Sequence, residues 1–281
     1  MLHIITDSGA DISEKEAAEL GVILMPMTVS FGEESYRAGV DLPPQTFYEK
    51  LIECDTLPST SMIPPMTYEK AFRMVRNAGD EAVVICLSSV LSGTCQSAML
   101  AAKEFPCIHV VDSLNACIGQ RVLVMRAVQL RNSGLTAEAL VALLEEEKKR
   151  IRLLAVLDTL EYLKKGGRIS AATAMAGSLL SIKPVVSVID GAVCMVGKAR
   201  GSKNANNLLR GMIAENEADT AMPACMGYSG LTDIMLRKYI EDNREVWKDE
   251  AIPPIVHVGP VIGTHIGPGA IALAFFAKTT C

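Results

Sequence analysis

The chain has 281 residues, room for about two ordinary domains; 49% are apolar and 21% charged, which excludes long disorder and allows sizeable cores. With 27 Lys and Arg against 32 Asp and Glu, the formal net charge is -5, so no long-range attraction to nucleic acid exists and a nucleic-acid-binding role is set aside. Eight cysteines without a C-x-x-C pair, and four scattered histidines (His3, His109, His257 and His265), offer no zinc motif; no metal site is expected and the thiols read as reduced in a cytoplasmic protein.

From the N-terminus, no basic stretch precedes an apolar one, so secretion is not signalled. Residues 2–6, 22–29, 82–87 and 108–111 are short, apolar and β-rich, and the stretches between them, such as 67–77 and 120–131, have helical spacing. That alternation predicts a parallel α/β sheet, in which ligands sit beyond the carboxyl ends of the strands. The residues just after each run therefore matter most: Thr6-Asp7-Ser8, Ser88-Ser89 and Asp112-Ser113.

After a charged helix expected over residues 136–152, a strand is expected over 153–157 and a short helix over 159–165, ending at Gly166-Gly167. Residues 184–196 read as two strands turned at Asp190-Gly191. This hairpin brings an antiparallel component and a second domain: residues 1–150 form the parallel domain and 151–281 an α/β domain with a mixed or antiparallel sheet. Residues 251–277 carry no Asp, Glu, Lys or Arg, yet four prolines and four glycines interrupt them, so they predict buried strand and tight loop, not a membrane helix.

Five places could carry chemistry. Residues 87–98, LSSVLSGTCQSA, follow a buried strand and lead into a helix near Gly93, where unpaired N–H groups and the Ser92 hydroxyl suit a carboxylate or phosphate, although Ser92 also fits a plain N-cap. Thr60-Ser61 stand in LPSTSMIPP, whose prolines would fix two hydroxyls in space; an ordinary capping loop would look the same. Residues 259–270, GPVIGTHIGPGA, surround His265 with glycines that permit close backbone approach to a ligand, against the more common structural histidine. Arg168 and Arg200, both beside glycines, suit an anionic head group or a solvated surface.

Several enzyme signatures fail. GYSGL at residues 227–231 lacks the last glycine of a nucleophile elbow, and GPGAIA at 267–272 leads into a β-like run and leaves no room for the acidic residue of a dinucleotide site. A serine-dependent hydrolase or transferase acting on a small acid or acyl phosphate remains the alternative, with Ser92 as nucleophile, His265 as base and Asp7 orienting the imidazole.

Taken in order, Thr6-Asp7-Ser8, Thr60-Ser61, residues 87–94, Asp112-Ser113, LEYLKKGGRIS at 160–170, Lys183-Pro184 and HIGPGA at 265–270 make the chain resemble the DegV family over nearly its whole length. The resemblance implies a two-domain α/β fold holding one long-chain fatty acid such as palmitate, with no catalytic turnover and no cofactor. It implies that Thr60 and Ser92 bind the carboxylate, with Ser61, Gly93, Thr94, Arg200 and His265 near the head group. Some members are the carrier subunit of a bacterial fatty acid kinase, which makes a kinase catalytic subunit and a transient membrane contact for lipid exchange the implied partners, with Arg168 at the kinase encounter. After Thr-Ser the family usually continues Gln-Pro, whereas Met62-Ile63 stand here.

Overall fold

The structure is a computed structural model and describes residues 1–170, 181–244 and 252–279. The first half runs β1 (Leu2–Asp7), α1 (Glu14–Leu20), β2 (Val22–Met25), β3 (Thr28–Phe31), β4 (Glu34–Arg37), α2 (Pro44–Glu53), β5 (Ser59–Ser61) and α3 (Pro65–Asn77). It continues with β6 (Glu81–Cys86), α4 (Thr94–Ala102), β7 (Ile108–Asp112), α5 (Cys117–Asn132) and α6 (Ala137–Glu147). Four of these strands form the expected parallel sheet, in the order β2-β1-β6-β7. Their residues are apolar on both faces because helices cover both, as parallel sheets require.

The apolar run at 22–29 is not one strand. Pro26, which has no N–H for a ladder, interrupts it; residues 22–25 join the parallel sheet and 28–31 turn into a small antiparallel sheet, β4-β3-β5. The Thr60-Ser61 segment, expected as loop, is the last strand of that small sheet.

The second half contains β8 (Ile151–Val156), α7 (Glu161–Lys165), β9 (Ile182–Ile189), β10 (Ala192–Arg200), α8 (Gly201–Glu215) and β11 (Cys225–Tyr228). It ends with α9 (Ile234–Asp242), β12 (Ile255–His257), α10 (Pro260–Ile266) and β13 (Ile271–Phe276). The six strands form one mixed sheet, β10-β9-β8-β13-β11-β12. The predicted hairpin turns at Asp190 and Gly191, whose φ values of 49° and 80° are those of a primed two-residue turn. The helix expected over 136–152 stops at Glu147, and after one tight turn the β-branched and leucine run from Ile151 enters the sheet. Residues 260–266, read as strand and loop, are a short helix begun by Pro260 at its first turn.

A continuous core joins the two halves. Ile4, Val84 and Ile118 from the first share it with Leu153, Val186 and Ala272 from the second. Leu154, Val185 and Leu273 point to the other face of the mixed sheet, where α8 and α9 cover them. No described helix is long and apolar enough to cross a membrane.

Candidate functional site

The loop between β6 and α4 is held from below by two carboxylates at the ends of neighbouring strands. Asp7 accepts from the Leu87 N–H at 2.7 Å and from Gly9 at 2.9 Å, and Asp112 accepts from Ser89 at 3.2 Å and Leu114 at 2.9 Å. Burial raises the Asp7 pKa to about 6, opposed by those two backbone donors. Ser88 donates to the Gly191 carbonyl at 2.8 Å, which pins the loop to the β9–β10 hairpin. The strand-end acids thus fix the loop that carries Ser92.

Ser92 accepts from the Thr94 N–H at 3.3 Å, and its Oγ lies 3.0 Å from Thr94 Oγ1, so it tethers the first turn of α4 while its side chain lines a cavity. Across the cavity mouth, Thr60 is the inward residue of β5, paired with buried Val29, while Ser59 and Ser61 on either side are exposed. Thr60 Oγ1 lies 3.0 Å from Nε2 of His265, in the last turn of α10. The Nδ1 atom of His265 is buried without a hydrogen-bond partner and packs against Gly166. Burial, and then the Arg168 guanidinium, lower the His265 pKa to about 4, so the imidazole is neutral near pH 7. Arg168 itself is steered by its own surroundings: Nε donates to the Leu91 carbonyl at 3.1 Å and Nη1 to the Gly166 carbonyl at 2.6 Å.

These four side chains border a cavity of about 290 Å³ that is otherwise largely apolar, Ser187 being the other polar residue on its walls. One wall comes from the first half through Met27, Leu87 and Leu91, the other from the mixed sheet through Leu153, Ala155 and Val186. Outside, Thr60, Arg168 and His265 also border a smaller space of about 260 Å³ with Ser59, Tyr162 and Lys165 on its rim. The polar cluster therefore divides a greasy interior from a polar, cationic vestibule. Hydroxyls, a neutral imidazole and a guanidinium in a half-buried setting are suited to one anionic group, whose burial without them would be prohibitive.

The structure brings together Thr60, Ser92, Gly93, His265 and Arg168. Thr94 is buried behind Ser92; Ser61 is exposed on the opposite side of its strand; Arg200 is exposed at the end of β10 and borders neither space. The residues of the hydrolase arrangement are each engaged elsewhere: Ser92 with Thr94, His265 with Thr60, and Asp7 with two backbone amides.

Met62 was visible in the sequence only as a departure from the resemblance. It is 51% exposed yet lines the cavity, accepts from Ser97 Oγ at 3.8 Å, and lays its Sδ 2.5 Å from where a Cβ on residue 93 would stand. Only glycine at 93 admits it. Glu81, His109 and Glu138 bring ligand atoms within 4.8 Å of one another, which no sequence motif announces; both glutamates are exposed, as in ordinary solvated clusters.

Comparison with known proteins identifies the family and the fold. The model of the DegV family, a family of uncharacterised proteins, matches residues 1–278. A DegV domain-containing protein of Halalkalibacterium halodurans is 36% identical over 281 residues, covering 99% of each chain. Among solved structures, a Thermus thermophilus DegV family protein described as fatty acid binding superposes with a TM-score of 0.89 at 30% identity, over 99% of both chains. Bacillus subtilis DegV, described as a fatty acid binding protein, gives 0.85 at 30% identity, again over 99% of both. By sequence and by fold along its full length, the chain belongs to the DegV family.

Proposed function

We propose that this protein is a carrier that binds one long-chain fatty acid, with the carboxylate held by the hydroxyls of Thr60 and Ser92 beside His265 and Arg168, and the hydrocarbon in the apolar cavity. The observation that carries this reading is the cavity itself, apolar on its walls and closed at one border by two hydroxyls, an imidazole and a guanidinium. The relatives from Thermus thermophilus and Bacillus subtilis, described as fatty acid binding, support the ligand class. The energetics are sufficient: about fifteen buried methylenes contribute roughly 12 kcal/mol gross at about 0.8 each, before the cost of ordering the chain.

Gently purified protein, denatured and extracted for mass spectrometry, should release a long-chain acid in near-stoichiometric amount. Protein that is empty and also refuses added palmitate or oleate overturns the reading.

The cationic vestibule favours a second element, presentation of the bound carboxylate to a separate ATP-using fatty acid kinase subunit. Arg168 and Lys165 stand on the outer side of the head group, where a transferred phosphoryl group would approach. Acyl phosphate formation with such a subunit, trapped by hydroxylamine and measured at palmitate concentrations that saturate both proteins, should be lost in Arg168→Ala. Equal phosphorylation of the two proteins refutes this role for Arg168.

A further inference from the structure

The mixed sheet parts at one end. Strand β8 pairs with β13 along its whole length, from Ile151 opposite Phe276 to Val156 opposite Ile271. On its other side it pairs with β9 only from Leu154 opposite Ser187 to Val156 opposite Val185. Residues 151–153 therefore face β9 with no ladder between them, and Val188 and Ile189 pair with β10 alone. A side chain compensates there, as it does at a true sheet edge: Arg152 donates through Nη1 to the Ile151 carbonyl at 3.2 Å and through Nε to Asn216 Oδ1 at 2.9 Å.

A second cavity, of about 480 Å³, occupies the parted end, walled by Leu114 after β7, Leu154, Val196 and Met212 on α8. Ser187 and Val188 border both this cavity and the apolar one behind the head group. These two residues of β9 are thus all that the two linings share, at the place where the strands separate. The inner side of the junction is largely apolar; the second cavity is mixed, with Leu154, Val188, Val196 and Met212 interspersed with Lys148, Lys149, Arg152 and Asp190. Such a junction has no use for a short ligand, but it gives the end of a long hydrocarbon somewhere to go without repacking a core.

We propose that the parting of β8 and β9 is a passage for the acyl tail: acids too long for the inner cavity thread their terminal methylenes between Leu153 and Val188 into the second cavity. This rests on the fatty-acid reading above and adds to it a determinant of chain length. Ser187, opposite Leu154 at the last paired position, is the small residue that keeps the passage open.

The test uses full-length, delipidated protein and two photoreactive acids, lauric and stearic, each carrying a diazirine at the methyl end. Peptide mapping should place the stearic probe on second-cavity residues such as Val196 or Met212, and the lauric probe on inner walls such as Leu153 or Val186. Labelling of the same inner residues by both probes overturns the passage. In Val196→Trp, which fills the second cavity and does not border the inner one, stearate affinity should fall by about tenfold or more while laurate affinity changes by less than about twofold, retained laurate binding showing that the variant is folded. Equal changes for the two acids overturn the proposal. Wild-type protein that takes up neither acid overturns the fatty-acid reading, and the passage with it, a result distinct from binding without chain-length discrimination.

Discussion

Removing both head-group hydroxyls, in the variant carrying Thr60→Ala and Ser92→Ala, tests the head-group assignment. Each hydroxyl has a polar neighbour within the protein at 3.0 Å, His265 Nε2 for Thr60 and Thr94 Oγ1 for Ser92, which orients it. A hydrogen bond to a charged group contributes about 1.5–3 kcal/mol, and the two share one carboxylate, so the combined loss should be roughly 2–4 kcal/mol. That corresponds to about a 30- to 700-fold weaker affinity for palmitate. Loss of the Thr60 hydroxyl also leaves His265 with neither ring nitrogen partnered, which should destabilise the ligand-free fold by about 1 kcal/mol. Isothermal titration of delipidated protein reads the affinity and chemical denaturation reads the stability. Thr60→Ser, which restores a hydroxyl, should recover most of the first effect. Palmitate affinity within about twofold of wild type in a folded double variant would refute the assignment.

Other consequences follow from the same geometry. In Gly93→Ala the new methyl would displace Met62 from the cavity mouth; because Met62 is half exposed and flexible the fold should lose less than about 1 kcal/mol, but release of a fluorescent acid in stopped flow should quicken several-fold. An unchanged release rate would show that Met62 does not guard the mouth. Between pH 6.5 and about 4 the unfolded chain binds a proton at residue 265 that the folded chain refuses, so His265 costs stability as pH falls through that window. Asp7 and Asp11, raised by burial from the ordinary 3.8 to about 6, act with the opposite sign and are common to both proteins in the comparison. Relative to His265→Gln, wild type should therefore lose as much as about 3 kcal/mol between pH 7 and 4; parallel denaturation profiles would contradict a buried neutral imidazole. Arg168→Ala removes the neighbouring positive charge and should move the His265 titration upward in ligand-free protein, read by NMR of the ring; an unmoved titration would place the guanidinium too far to act.

The parallel sheet was legible because its strands are short, apolar and separated by helical spacing, and the hairpin because Asp190-Gly191 is a strong turn pair. Residues 260–266 were misread since glycines and prolines that usually mark loops here permit a short helix packed tightly against Phe47 and Tyr48. Thr60 and His265 lie 205 positions apart, and only the docking of α10 on the small sheet brings them together. No local pattern encodes that meeting; the resemblance alone pointed to it. The same holds for Thr60 against Ser61: a loop reading treats the two hydroxyls alike, while a strand sends one inward and the other to solvent. Cavity walls such as Leu153 and Val186 are indistinguishable in sequence from ordinary core, because both demand apolar side chains at alternate strand positions.

The most direct measurement is a crystal structure of the protein saturated with palmitate. The carboxylate should lie within hydrogen-bond distance of both Thr60 Oγ1 and Ser92 Oγ, with the hydrocarbon running between Leu87 on one side and Leu153 and Val186 on the other. A carboxylate bound away from these two oxygens, or a hydrocarbon chain lying outside the cavity, would contradict the account.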